Sequence, residues 1–245
     1  MLIGPQNSSV ETLLAANIQA VRAQIAAAAA IAQRSVDSVT LVAVSKGHGA
    51  EMVRGAAAAG AANFGESYLQ EALPKMQSLQ DLALTWHFIG RLQANKTRPI
   101  AEHFDWVHGV DRLLLAERLS AQRPHHAAAL NLCLQVNIAA DSAKAGLAPA
   151  LVADLALAVR GLPKLQLRGL MCILPAGLSA ADNRQAFGAM RRLLLQINAR
   201  GGSLDTLSMG MSADFSEAII EGATMIRVGT AIFGARPPPP PRPPP

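Results

Sequence analysis

Residues 41–59 read LVAVSKGHGAEMVRGAAAA. The first four are an apolar run of strand length that stops at Ser45 and Lys46. Glycines at 47 and 49 break the pattern, and a helix-length segment runs from Ala50 to Ala59 before the next apolar run, Ala62–Phe64. Strand, helix, strand in this order is a βαβ unit, and such units build parallel sheets.

The unit recurs along the chain. Strand-like runs lie at Leu41–Val44, Ala62–Phe64, Trp86–Ile89, Trp106–Val110, Leu132–Ile138, Leu165–Ile173, Thr206–Met209 and Met225–Val228. Between them fall helical patterns such as Ala50–Ala59, Tyr68–Gln77, Arg112–Ala121, Pro149–Arg160, Ala180–Ala199 and Ser212–Glu221. Ahead of the first strand, Val10, Leu13, Leu14, Ile18, Val21 and Ile25 repeat at three and four, which predicts an amphipathic helix within Ser8–Arg34. Ser8 or Ser9 would cap it, with Glu11 in its first turn. Eight strands, a leading helix and 245 residues predict a single closed (β/α)8 TIM barrel over residues 1–236 rather than an open doubly wound sheet. The last ten residues, RPPPPPRPPP, cannot continue a helix or a central strand, so 237–245 is expected to be a solvated, disordered tail.

Composition removes several classes of function. Hydrophobic residues make up 51% and aromatics 4%, so the core must be aliphatic. Apolar runs look too short to span a bilayer, and the start, MLIGPQNSSVETLL, lacks the basic n-region of a signal peptide. The expectation is a monomer in the cytoplasm, away from membranes. Cys133 and Cys172 sit in apolar runs and read as small buried hydrophobes. The six histidines show no metal-ligand spacing, so no metal is expected. A net charge of +5 is scattered rather than striped, which argues against nucleic acid.

In a barrel of this kind the βα loops at the carboxyl ends of the strands build the site. Polar residues collect there: Lys46 after LVAVS, Gly65 and Glu66 after ANF, Gly90 after WHFI, Asp111 after WVHGV, Asn137 in LQVNI, Ser208–Ser212 after DTL, and Arg227–Thr230 in MIRVGT. A lysine at the end of a buried strand is partly desolvated, which lowers its pKa and leaves it nucleophilic toward an aldehyde; the competing reading is a solvated loop lysine. The loops after strands seven and eight commonly bind phosphate in barrels. Ser212 at the start of a predicted helix, Gly229 and Thr230 supply donors and close backbone approach there. Each is an ordinary cap or turn residue alone; with Lys46 they make a pocket for an aldehyde carrying a phosphate.

These residues fall in blocks that resemble the pyridoxal phosphate homeostasis protein family from about Ser8 to Arg236: LVAVSK (41–46), NFGESYLQE (63–71), WHFIGRLQANK (86–96), GLM (169–171), LSMGMSADFSEAI (207–219) and RVGTAIFGAR (227–236). The resemblance implies a barrel like that of alanine racemase without its C-terminal β domain. It implies pyridoxal 5′-phosphate (PLP) held as a Schiff base on Lys46, phosphate contacts from Ser212, Gly229 and Thr230, Arg227 facing the pyridine nitrogen, and Asn63 and His87 near the cofactor. It also implies a role as carrier or regulator that supplies apo PLP-dependent enzymes. Gly47 and His48 after the lysine, Ser67 and Arg91 depart from the family pattern, all in loops at the pocket mouth.

Three readings of function compete. The first is the PLP carrier. The second is an amino-acid racemase, which needs a second base on the far face of the cofactor; the racemase relative takes a tyrosine from its additional domain, whereas this chain has one tyrosine, Tyr68, with Cys172 or His87 as substitutes. The third is an interaction module built on the proline tail. Arg227 separates the first two chemically, because a permanently charged guanidinium disfavours a protonated pyridine; its competing reading is a pair with Asp214 or Glu217. Glu66 pairs with a site cation or stays exposed, and Asn95 and Lys96 bind a carboxylate or cap the helix after the third strand.

Overall fold

The structure, a computed structural model, describes residues 5–236. Eight parallel strands close on themselves: β1 (Thr40–Val44), β2 (Asn63–Glu66), β3 (Thr85–Phe88), β4 (Trp106–Val110), β5 (Leu130–Gln135), β6 (Leu165–Met171), β7 (Thr206–Ser208) and β8 (Met225–Val228). Closure is made by β8 pairing back to β1, with Val42 opposite Arg227 and Ala43 opposite Val228. That register sets Val44 and the Lys46 turn beside Gly229 and the loop that follows β8. The expected TIM barrel is therefore the fold.

Helices alternate with the strands: α2 (Ala50–Ala58), α3 (Leu69–Ser78), α4 (Thr97–His103), α5 (Leu113–Gln122), α6 (Val152–Arg160), α7 (Ala180–Ala199), α8 (Phe215–Ile220) and α9 (Thr230–Phe233), with α1 (Pro5–Ile31) before them. Most boundaries shift by a residue or two from the sequence reading, and three of the differences bear on the argument. α1 already runs from Pro5, so Ser8 and Ser9 lie within the helix rather than at its cap. β5 ends at Gln135 because Asn137 exchanges hydrogen bonds with the backbone of Asp141 and turns the chain. α8 begins at Phe215, with Asp214 as its N-cap: the Asp214 carboxylate accepts the Met211 N–H at 2.6 Å and folds 211–214 into a turn, so Ser212 precedes the helix instead of opening it. The proline tail expected at 237–245 lies outside the described residues.

α1 covers one flank of the barrel. It buries Leu14, Ile18, Val21 and Ile25, each worth about 1.5–3 kcal/mol on full burial. Polar ties complete the docking: Asn17 donates to Ile232 O at 2.8 Å, and Arg34 to Ala223 O at 2.9 Å and Ile219 O at 3.2 Å. Over Val10–Ile31 the helix is long and apolar enough to cross a membrane by length and composition, contrary to the sequence reading. Its buried stripe faces α2, α8 and α9, but only 33% of the apolar window is buried, and Leu13 and Ile31 are exposed.

Candidate functional site

At the carboxyl end of β1 the chain turns through Ser45, Lys46 and Gly47, and three side chains from β2 and α3 clamp that turn. Glu66, wholly buried, accepts the Ser45 hydroxyl at 2.7 Å and the Lys75 ammonium at 2.5 Å. Lys75 also donates to Ser45 O at 2.9 Å, and Glu71 accepts the Gly47 N–H at 2.9 Å. Gly47 has φ +78, a left-handed conformation that a side chain strains, and a Cβ there would press on Arg236. This explains why glycine stands after the lysine. Lys46 itself is half-buried. Burial, then Arg236 and Arg227, pull its amine below the ordinary lysine range, with Glu66 pulling the other way. A lysine so placed holds a larger share of neutral, nucleophilic amine at neutral pH.

Opposite stand the loops after β7 and β8. Gly210 (φ +93) lets the chain pass against Phe215 and Ala218, and a Cβ on Gly229 would sit 3.3 Å from Val44 O. The β8 loop thus lies directly on the end of β1. Ser212 and Thr230 are exposed there, Thr230 opening the four-residue α9 behind Gly229. Arg227 lies below them, 4% exposed. It donates to Ser208 Oγ at 2.7 Å and Cys172 O at 2.8 Å, and among the described residues it forms no ion pair. The expected alternative, a pair with Asp214 or Glu217, is not made; Asp214 spends its carboxylate on the Met211 N–H.

A hydrogen-bonded row of side chains crosses the barrel interior below the mouth. Asn63 Oδ1 meets His87 Nε2 at 3.0 Å, His87 Nδ1 meets His108 Nε2 at 3.0 Å, and His108 Nδ1 meets Ser208 Oγ at 2.8 Å. β4 and β7 are not neighbours in the sheet, so the His108–Ser208 bond spans the lumen. Burial pushes His87 down to about 3 and His108 well below its ordinary value, so both imidazoles are neutral. Burial likewise raises the Cys172 and Cys133 thiols to about 12, which removes them as nucleophiles.

The fold brings Lys46, Arg227, Gly229 and Thr230 to one end of the barrel, with Asn63 and His87 in the row beneath. Glu66 proves to be a structural acid with a site cation, Lys75, rather than an exposed one. Asn95 and Lys96 form a short 3-10 turn ahead of α4. Sequence reasoning did not find the roles of His108, Lys75 and Arg236. His108 sits in an alternating strand, WVHGV, where a polar residue facing inward was the available signal.

The chain matches the alanine racemase N-terminal domain family over residues 16–237. It is 55% identical over 223 residues to the pyridoxal phosphate homeostasis protein of Pseudomonas aeruginosa, covering 91% of this chain and 96% of that protein. The protein of the same name from Escherichia coli is 46% identical over 229 residues, covering 91% and 97%. Among solved structures, PipY of Synechococcus elongatus with PLP bound superposes with a TM-score of 0.80 at 42% identity, covering 90% of this chain and all of that one. Alanine racemase of Clostridium difficile superposes at 0.72 with 14% identity and only 58% of its length covered, a likeness of fold alone. The chain belongs to the pyridoxal phosphate homeostasis protein family, on a barrel that matches the alanine racemase N-terminal domain.

Proposed function

We propose that this protein binds PLP at the barrel mouth, with Lys46 forming the Schiff base, and serves vitamin B6 homeostasis as a carrier that supplies apo PLP-dependent enzymes. The observation that carries the reading is Arg227. A buried guanidinium without a carboxylate costs stability, and a ligand with an acceptor at that point offsets the cost. Lys46 at the end of β1 and the Gly229–Thr230 loop beside it supply the two other things PLP requires, an amine and phosphate donors. The P. aeruginosa and E. coli relatives by name, and PipY by its bound PLP, support the same reading.

PLP supplies an electron sink for carbanion chemistry on amino acids when its ring nitrogen is protonated. Arg227 has donors only and stays charged, so it keeps a nitrogen facing it unprotonated and restrains that chemistry. The three groups weighed as a second base do not serve as one. His87 has both ring nitrogens engaged and a pKa near 3, the Cys172 thiol sits at about 12, and Tyr68 is 52% exposed at the N-cap of α3. None suits proton transfer at neutral pH. Racemisation is thus no part of the proposed function. Action as a monomer in the cytoplasm, without nucleic acid or membrane, is part of the same proposal; the dispersed charge supports the exclusion of nucleic acid, and the docking of α1 on the barrel supports a packing role for that helix.

Incubation with PLP, borohydride reduction and peptide mapping by mass spectrometry test the proposal. The expected result is one phosphopyridoxyl group per chain, on Lys46. Label on Lys75 or Lys96, or none at all, overturns it.

A further inference from the structure

We propose that His108, with His87 and Ser208, positions both walls of the ligand site through a hydrogen-bond chain of fixed direction running from Arg227 to Asn63. The inference rests on the PLP reading for its ligand, but the chain itself is a property of the free protein.

The direction follows from what each group can give. A guanidinium only donates, so Ser208 Oγ accepts from Arg227 Nη1 at 2.7 Å. The single hydroxyl proton of Ser208 then has His108 Nδ1, at 2.8 Å, as its acceptor. With Nδ1 accepting, the proton of neutral His108 is on Nε2 and is given to His87 Nδ1 at 3.0 Å. His87 in turn carries its proton on Nε2 and gives it to Asn63 Oδ1 at 3.0 Å. Reversing the row would direct both Arg227 and His108 at the Ser208 oxygen and leave its hydroxyl proton without an acceptor at a residue with 0% exposure, the costly case of an unmade buried bond. The reversed row would also set Asn63 Oδ1 against an unprotonated His87 nitrogen unless the amide turned over.

Two consequences reach the ligand. With its oxygen already accepting from His87, Asn63 has its Nδ2 protons to offer, and these have no partner among the described residues. Arg227, with two hydrogen bonds made, likewise has further N–H groups to offer. Both ends of the chain therefore present free donors. The ring they fit is one with acceptors at both positions: an unprotonated pyridine nitrogen and a deprotonated ring oxygen, the 3-hydroxypyridine class to which PLP belongs. Trp106 stacks on His87 (5.5 Å, 15°), tilts against His108 at 6.0 Å, and is itself covered by Arg168 at 5.2 Å, which fixes the ring planes. His108 touches neither end of the chain, yet its loss uncouples them.

The test has two readouts. In ligand-free protein, long-range proton–nitrogen NMR of 15N-histidine should show both His87 and His108 protonated on Nε2 and bare on Nδ1; an Nδ1–H tautomer at either residue overturns the proposal. In the PLP-loaded protein, His108→Leu and Ser208→Ala should each move the midpoint of the pH-dependent change in the bound-PLP absorbance by about one pH unit and weaken retention about tenfold. His108→Gln keeps one acceptor and one donor and should restore wild-type behaviour. If Leu, Gln and wild type titrate alike, the positioning role is wrong. Should His108→Leu fail to fold, Ser208→Ala and the tautomers decide. If wild type takes up no PLP, the binding reading fails and the NMR result still judges the chain.

Discussion

The two buried imidazoles make a definite claim about acid stability. Each has a folded-state pKa well below the 6.5 of a free histidine, His87 at about 3, with burial the main cause for both. A histidine depressed in the folded state takes up its proton on unfolding, so its share of stability is complete above the unfolded value and is lost as pH falls below it. One proton changes stability by about 1.36 kcal/mol per pH unit at full slope. Allowing for partial protonation of the unfolded chain near its pKa, each histidine removes about 2 kcal/mol between pH 7 and pH 5, and the two together about 4 kcal/mol. Against a typical total of about 5–15 kcal/mol that is a large share, equivalent to a fall of about 8–16 °C in melting temperature for a chain of this size. Carboxylates add their own pH dependence, so the comparison is between wild type and the His87→Gln, His108→Gln double variant, measured by urea unfolding across that range. The wild type should lose about 4 kcal/mol more than the double variant. Parallel curves would show that the imidazoles titrate normally, and the neutral row would be wrong.

Other outcomes follow from the same geometry. Ser212→Ala with Thr230→Ala should weaken PLP retention in equilibrium dialysis, each lost charge-assisted bond costing about 1.5–3 kcal/mol, and inorganic phosphate should compete with PLP only in the wild type; unchanged affinity places the phosphate elsewhere. Glu66→Ala strands the buried Lys75 ammonium and should cost about 3–5 kcal/mol in denaturant unfolding. Glu66→Leu with Lys75→Met should recover most of that loss, and a single variant within about 1 kcal/mol of wild type refutes the clamp. Arg227→Glu, if PLP remains bound, should gain slow exchange of the alanine Cα proton for deuterium, followed by NMR. Robust exchange by the wild type at about 1–1000 per second would sink the carrier reading.

The barrel was legible because its signal is redundant. The runs at 41–44 and 225–228 are continuous apolar strands flanked by helical patterns, and those two strands are the pair that closes the ring. What stayed hidden depends on contacts remote in sequence. The His108 partner is Ser208, 100 positions away, and no local pattern in WVHGV announces it. The start of α8 was misplaced because Ser212 and Asp214 are both good caps, and only the Met211 N–H bond to Asp214 decides between them. Lys75 lies in a helix pattern where a lysine ordinarily faces water; its burial follows from the way α3 packs over the end of β1.

On the proposed reading, the arrangement also accounts for a site that holds a reactive aldehyde without turning it over. Several groups that could accept a proton at neutral pH are committed elsewhere, although Glu66 Oε2 is buried without a hydrogen-bond partner and the His48 ring, stacked on Phe233, is not tied down by a hydrogen bond among the described residues. Glu66 and Glu71 bind the backbone and side chains that shape the Lys46 turn, so their charge serves the clamp. His87 and His108 have both ring nitrogens occupied in the row beneath the mouth. The Asp214 carboxylate is tied to the backbone of its own turn. What remains facing the ligand is the Lys46 amine, the Arg227 guanidinium, the Asn63 amide and hydroxyl groups: one nucleophile and a set of donors. Such a lining suits an anionic, electron-rich ring and its phosphate and offers the substrate's α-proton few bases beyond the lysine used for attachment. Arg227→Glu tests the electronic half of that reading alone.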